Sequence, residues 1–295
     1  MIRSDVMGRR LWIGRAGWIV VAAAVLLGLG SMPLVGQAAQ DTAAGPEPSK
    51  MMAVNAHPEF EVATIKPSDP NNDGVDFRNE GRHVSTHNTT VIALISYAYG
   101  VHGKQIAGGP EWVSTSKYDT DGVPDVAGEP NMKQTQEMYQ KLLADRFKLT
   151  FHHEKRELPV YALTVGKSGP KLTKSQGDPN GLPDQNFTQF SANLIELSVS
   201  NSTIADFLLA MQYVLDRPLV DRTGLAGRYD FLLKWTPDES QFGAMGIRFS
   251  PPSNNPNGPP GLFTAIQEQD GLKLEAVKAQ ADVIVIDKVE RPSAN

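Results

Sequence analysis

Apolar residues recur along this chain with two periods, and the changes of period mark its elements. Val91, Leu94, Ile95 and Ala98 fall at i, i+3, i+4 and i+7, one stripe of a helix that faces a sheet. Ile204, Phe207, Leu208 and Met211 repeat the spacing 113 residues later. Asn88-Thr-Thr precedes the first stripe and Asn201-Ser-Thr the second. Asn88 or Thr89 is the expected first N-cap, its side-chain oxygen accepting an orphan backbone amide. Gly100 is expected to end the first helix and Asp216-Arg217-Pro218 the second. Apolar spacing predicts further helices over 132–145 and 261–269. Alternation predicts strands in Phe60-Glu-Val-Ala-Thr-Ile, Val84-Ser-Thr-His, Phe147-Lys-Leu-Thr-Phe and Leu272-Lys-Leu. Residues 159–165 and 282–287 are apolar on both faces, as interior strands are.

These elements come twice in one order. Lys117-Tyr118-Asp119 is matched by Arg228-Tyr229-Asp230 at an offset of 111, and Asp145-Arg-Phe-Lys-Leu by Asp270-Gly-Leu-Lys-Leu at 125. Three ordered matches predict a duplicated unit. The expected fold is α+β, with two tandem homologous subdomains, each strand-helix-strand-strand-helix-strand-strand, over 59–165 and 194–290. Residues 166–193 read as a linker loop, 291–295 as a tail and 68–82 as a polar loop. A residue that recurs in both halves serves the shared fold more readily than a single site, so the Tyr-Asp pairs read as structural.

The N-terminus changes the picture of where the chain works. Arg3, Arg9, Arg10 and Arg15 precede an apolar run from Trp18 to Leu29, and Gly36 and Ala38 stand at signal-peptidase spacing. Residues 1–38 therefore read as a cleaved export signal and 39–58 as a flexible tether. Glycines and Pro33 break the run short of a membrane span. Cleavage removes four basic residues and one acid, leaving 24 basic against 32 acidic side chains and a net charge of −8. That sign opposes phosphate binding, so nucleic acid is excluded as a partner. The chain has no cysteine, which excludes disulfides, thiolate metal sites and cysteine nucleophiles.

Catalytic patterns are few. Asp69, Asn71, Asp73, Gly74 and Glu80 fit the calcium-loop spacing of alternate oxygen ligands and a closing carboxylate. Asp76 stands where a hydrophobe anchors such loops, and the preceding segment reads as strand, so a solvated turn is the preferred reading. His83 and His87 are expected on one side of a strand, His152 and His153 on opposite sides, and neither pair completes a zinc set. Ser114-Thr-Ser-Lys117 and Ser168-Gly-Pro-Lys171 spell the serine–lysine pair of acyl enzymes without its partner motifs. Trp112 and Trp235 read as core or inter-half contacts. No catalytic residue is assigned.

Phe60-Glu-Val-Ala-Thr-Ile-Lys-Pro-Ser, Gln105-Ile-Ala-Gly-Gly-Pro-Glu-Trp, Leu142-Leu-Ala-Asp-Arg-Phe-Lys-Leu, Glu157-Leu-Pro-Val-Tyr and Asp221-Arg-Thr-Gly-Leu-Ala-Gly-Arg-Tyr-Asp-Phe are distinctive. Over about Phe60 to Pro292 the chain resembles the acidobacterial, Solibacter-type family of secreted proteins defined only as a domain of unknown function. In some members the same domain is joined to a membrane metallopeptidase of the antibiotic-sensor type, which implies a sensing or interaction role. The family supplies no catalytic residues to carry over. The helix-then-strands unit also resembles, at fold level, the small periplasmic domains at the front of secretins and TonB-dependent receptors. The expected function is a non-enzymatic binding or sensing module of the cell envelope, with an envelope protein or peptide as partner. The alternative is a hydrolase with a carboxylate site in the cleft between the halves.

Overall fold

The computed structural model describes residues 51–71, 74–250 and 258–292; the expected signal over 1–38 and the first part of the tether lie outside them. Helices and strands mix as an α+β fold. The first half runs β1 (Phe60–Pro67), β2 (Asp76–Glu80), β3 (His83–Thr90), α1 (Val91–Tyr99), β4 (Ile106–Gly108), α2 (Trp112–Thr115), β5 (Lys117–Pro124), α3 (Met132–Arg146) and β6 (Thr150–Val165). The second runs β7 (Thr173–Lys174), β8 (Asp184–Phe190), β9 (Ile195–Ser202), α4 (Ile204–Met211), β10 (Leu219–Asp221), β11 (Tyr229–Trp235), α5 (Leu262–Gln269) and β12 (Leu272–Lys288).

Each half forms an antiparallel sheet, in the orders β1-β5-β3-β2 and β7-β11-β9-β8. A third sheet, β10-β6-β12-β4, is shared. Its centre is the antiparallel pair β6–β12, in register from Leu272↔Val165 to Ile286↔Phe151, with one slip before Lys288↔Thr150. Its two outer strands are exchanged: β4 of the first half pairs with β12 of the second, and β10 of the second with β6 of the first. The two halves, in tandem along the chain, interlock through this sheet.

The helix stripes go where their spacing sends them. Val91, Leu94, Ile95 and Ala98 are all buried in the first core, and Ile204, Phe207 and Met211 in the second. The first N-cap is Thr90, one or two residues later than expected, and its hydroxyl accepts from Ala93 N at 3.2 Å. Gly100 ends α1 in the left-handed region, at φ 63°, where only glycine is free of strain.

Asn88 is displaced from the cap because it holds a bulge. It sits at φ 55°, and Asn201 at φ 47° in the other half. In each, the Tyr-Asp motif pins the bulge: Asp119 Oδ1 accepts Asn88 N at 2.9 Å, and Asp230 Oδ1 accepts Asn201 N at 2.7 Å. Tyr118 and Tyr229 are buried beside them. Burial pushes the Asp119 carboxyl up. The bonds from Asn88 and Ser68, with His87 and Lys66 nearby, outweigh this and hold it below the usual carboxylate range.

Three stretches depart from expectation. The separate strands expected at each half's end are continuous, so β6 runs through Pro159. Tyr161 N donates to Pro218 O, and backbone direction repeats every second residue, so Pro159 turns its missing N–H toward β10's side, before β10 begins. No ladder bond is lost there. The polar stretches read as loops, 68–82 and 166–193, contain the edge strands β2 and β8, which form hairpins with β3 and β9. Residues 51–58 have fixed partners on α3: Gln134 Nε2 donates to Ala53 O at 2.7 Å, and Lys141 Nζ to His57 O and Pro58 O.

Candidate functional site

A groove of about 390 Å³ opens between the two halves. Its first wall is the start of α3 with the 51–58 segment lying on it, bringing Val54, His57, Lys133 and Glu137 to the surface. The wall is built by a capping box: Asn131 Oδ1 accepts Gln134 N at 3.1 Å, and Gln134 Oε1 accepts Asn131 N at 3.0 Å. Gln134 then spends its amide nitrogen on Ala53, so one side chain both starts the helix and docks the tail. Glu137 meets His57 Nδ1 at 3.1 Å and Lys141 Nζ at 3.5 Å.

The second wall comes from the start of α4 and from residues 180–183. Asp206 is held in a reciprocal cap, accepting from Thr203 N at 2.9 Å while Thr203 Oγ1 accepts Asp206 N at 3.1 Å. Arg228 Nε donates to Pro179 O at 2.9 Å, its Nη1 donates to Asn201 O, and Asn201 Nδ2 donates to Asp178 O at 2.8 Å. Asn201 therefore links two levels. Its backbone is set by the Tyr-Asp motif, and its side chain shapes the loop that lines the groove.

The groove pairs apolar with polar surface. Seven large apolar side chains are well exposed among the described residues. Val54 and Leu182 line the groove, and Met51 and Met132 stand beside its first wall in the chain. Clustered exposed apolar residues with a polar rim mark interaction surfaces, whereas scattered ones carry no message. Both acids in the groove already serve structure, Asp206 as a cap and Glu137 in an ion pair. The acid with a strongly raised pKa is elsewhere: burial pushes Asp270 up to about 7 beneath the second core.

The residues singled out from sequence are scattered. Asp69 Oδ1 accepts the Asn71 backbone amide at 2.9 Å, an Asx turn, while Asp73 lies outside the described residues. Glu80 is at the far end of β2, 3.9 Å from Arg78. Among the described residues no three His, Asp or Glu side chains are arranged to hold a metal ion. His83 and His87 share a sheet face, opposite Asp121 and Asp119 respectively. His152 lies between Asp287, at 2.8 Å, and Glu154, at 3.1 Å, and their hydrogen bonds raise its pKa. Trp235 is buried with its Nε1 donating to Gln241, and Trp112 packs under the Arg291 guanidinium.

The fold and groove define a class: an interlocked two-half α+β protein with a groove between its halves whose described lining residues offer apolar contacts and hydrogen bonds. The chain belongs to the family described as protein of unknown function (DUF3738), whose model matches residues 92–289. That span runs from α1 to just past β12, so β1–β3 and the docked 51–58 segment precede it. No curated protein and no solved structure matches the chain. Among the described residues no helix is long and apolar enough to cross a membrane.

Proposed function

We propose that this protein is an exported, non-enzymatic binding or sensing module of the cell envelope that takes an envelope protein or peptide in the groove between its halves. The observation that carries the reading is exposed Val54 and Leu182 brought together from the two halves in one polar-rimmed groove, with exposed Met51 and Met132 near its lining residues in sequence. The basic, apolar, small-residue pattern of residues 1–38 supports export. The hydrolase alternative needs two carboxylates free to act on substrate, and Glu137 and Asp206 are both committed to structural bonds.

The test is site-specific photo-cross-linking in the native envelope. Leu182 and Leu232 are matched in exposure, at 39% and 42%, but only Leu182 lines the groove. A cross-linker at Leu182 is expected to capture one reproducible protein that the same group at Leu232 does not. Equal capture at both positions, or none at Leu182 where a control pair cross-links, refutes the reading.

A further inference from the structure

The groove does not end at residue 183. Residues 180–183 run directly into β8, the outermost strand of its sheet. Ser191 N donates to Leu194 O, so Asp184, Asn186 and Gln189, opposite Ser200, Ser198 and Glu196, turn their backbone groups toward β9. Gln185 and Phe187 turn theirs outward, where they meet no partner among the described residues. Gln185 Oε1 is likewise buried without a donor.

The other sheet edges are closed, small or charged. Where β10 and β4 leave β6 and β12 uncovered, those strands carry Lys155, Arg156 and Pro159, and Lys273 and Lys278. On β1, Arg146 donates to Ala63 O and Pro67 removes a donor. β2 is five residues long and carries Asp76, Arg78 and Glu80; β4, β7 and β10 have three residues or fewer. β8 has seven residues with no lysine, arginine or proline, and its bulge begins only after Phe187. Edges left in this state are templates for another strand.

We propose that the outer edge of β8 is a strand-addition site, where an extended segment of a partner polypeptide leaves the groove and pairs with residues 183–187. This rests on the groove reading and adds the partner's conformation to it. Gln185 and Phe187 lie opposite core residues Val199 and Leu197, and Asp184 and Asn186 opposite Ser200 and Ser198. The fitting segment is therefore uninterrupted by proline and alternates apolar with polar residues, the polar ones passing Asp184 and Asn186.

The probe is a phage-displayed library of linear twelve-residue peptides panned against the intact protein, with amide exchange of Gln185 and Phe187 followed by NMR. A selected peptide is expected to slow both amides about tenfold or more, while Gln185→Pro, which removes an outward N–H and no ladder bond, weakens binding about tenfold. The wild-type exchange readout stands even if that variant misfolds. A peptide whose binding falls with Leu182→Asp while both amides exchange freely overturns strand addition and leaves the groove reading standing. No binder at all counts against both. Protection of the two amides in concentrated protein alone, with sedimentation as a dimer, makes the occupant a second copy and overturns the proposal.

Discussion

Replacing Asp270 by asparagine is expected to remove a pH dependence that the folded chain carries. Asp270 is 1% exposed, and its Oδ2 has no hydrogen-bond partner. It caps the end of α5 at φ −98°, ψ −13°, followed by left-handed Gly271 and then Leu272. In the first half the residue at that place, at φ −99°, ψ −1° and followed by left-handed Lys148 and Leu149, is the fully buried Phe147, two residues beyond Asp145, with which the sequence pattern aligns Asp270. A carboxyl thus occupies a position built like a core site, and burial pushes it from 3.8 to about 7. Because the folded-state pKa is raised, the folded chain binds more protons than the unfolded one between those values. Stability therefore falls as pH rises through that window. At about 1.4 kcal/mol per unit, the full effect is about 4 kcal/mol, of which about 3 falls between about pH 4.5 and about pH 7.5. Asparagine leaves a buried amide, a cost of about 1–3 kcal/mol that does not vary with pH. The test therefore lies in the slope. Urea denaturation of both proteins across that range is expected to show the variant gaining about 3 kcal/mol on the parent. A difference that stays constant with pH refutes the reasoning.

His102 runs the other way. Its Nδ1 accepts Lys104 N at 3.0 Å and its Nε2 faces Leu215 O of the other half at 3.2 Å, and burial pushes its pKa down. Its contribution is present above the free imidazole value of about 6.5 and lost as pH falls toward the folded value. The Lys104 amide signal is therefore expected to titrate with a midpoint below 6.5, and a midpoint at or above it contradicts the account. Asp230→Ala and Asp119→Ala are each expected to cost about 1–3 kcal/mol in denaturation, by stranding a bulge amide. Only Asp230→Ala is expected to speed proteolysis within 178–183, because of the two bulge asparagines only Asn201 bonds to that loop. Melting curves in millimolar calcium and in chelator are expected to coincide, since β2 carries Glu80 about 13 Å beyond Asp76. A calcium-dependent rise in melting temperature that Glu80→Gln abolishes would establish the loop as a site.

Periodic elements were legible because periodicity reports what burial requires. The stripe from Val91 to Ala98 needed no tertiary knowledge, since any partner surface would bury that face. Edge strands were not legible for the converse reason. Asp76-Phe-Arg-Asn-Glu and Asp184-Gln-Asn-Phe-Thr-Gln-Phe carry one and two apolar residues, and pairing with a neighbour, not burial, makes them strands. The groove was invisible for a stronger reason. Val54, Lys133, Leu182 and Arg228 span 174 positions of sequence and come from halves joined through the interlocked sheet. The traces that could have been read were local: Asn131 with Gln134 and Thr203 with Asp206, two capping boxes marking the helix starts that became the walls.

The repeated motifs and the groove divide the labour of the chain. Asp119 and Asp230 make the same bond to the same kind of bulge, so the matching Tyr-Asp pairs answer to the fold. The groove is made from parts that do not match. One wall is the second long helix of the first half with the 51–58 segment upon it; the other is the first helix of the second half with the 178–183 loop. An arrangement repeated in both halves would offer two equivalent surfaces, whereas joining unlike elements offers one. Asn201 shows where the two schemes meet. Asp230 holds its backbone in the conformation Asn88 also adopts, yet its side chain reaches Asp178 O and fixes a loop whose sequence is unmatched in the first half. If the groove binds a partner as proposed, the segments that would set its specificity are 51–58 and 178–183, which line it or anchor its lining and have no counterpart in the repeated motifs.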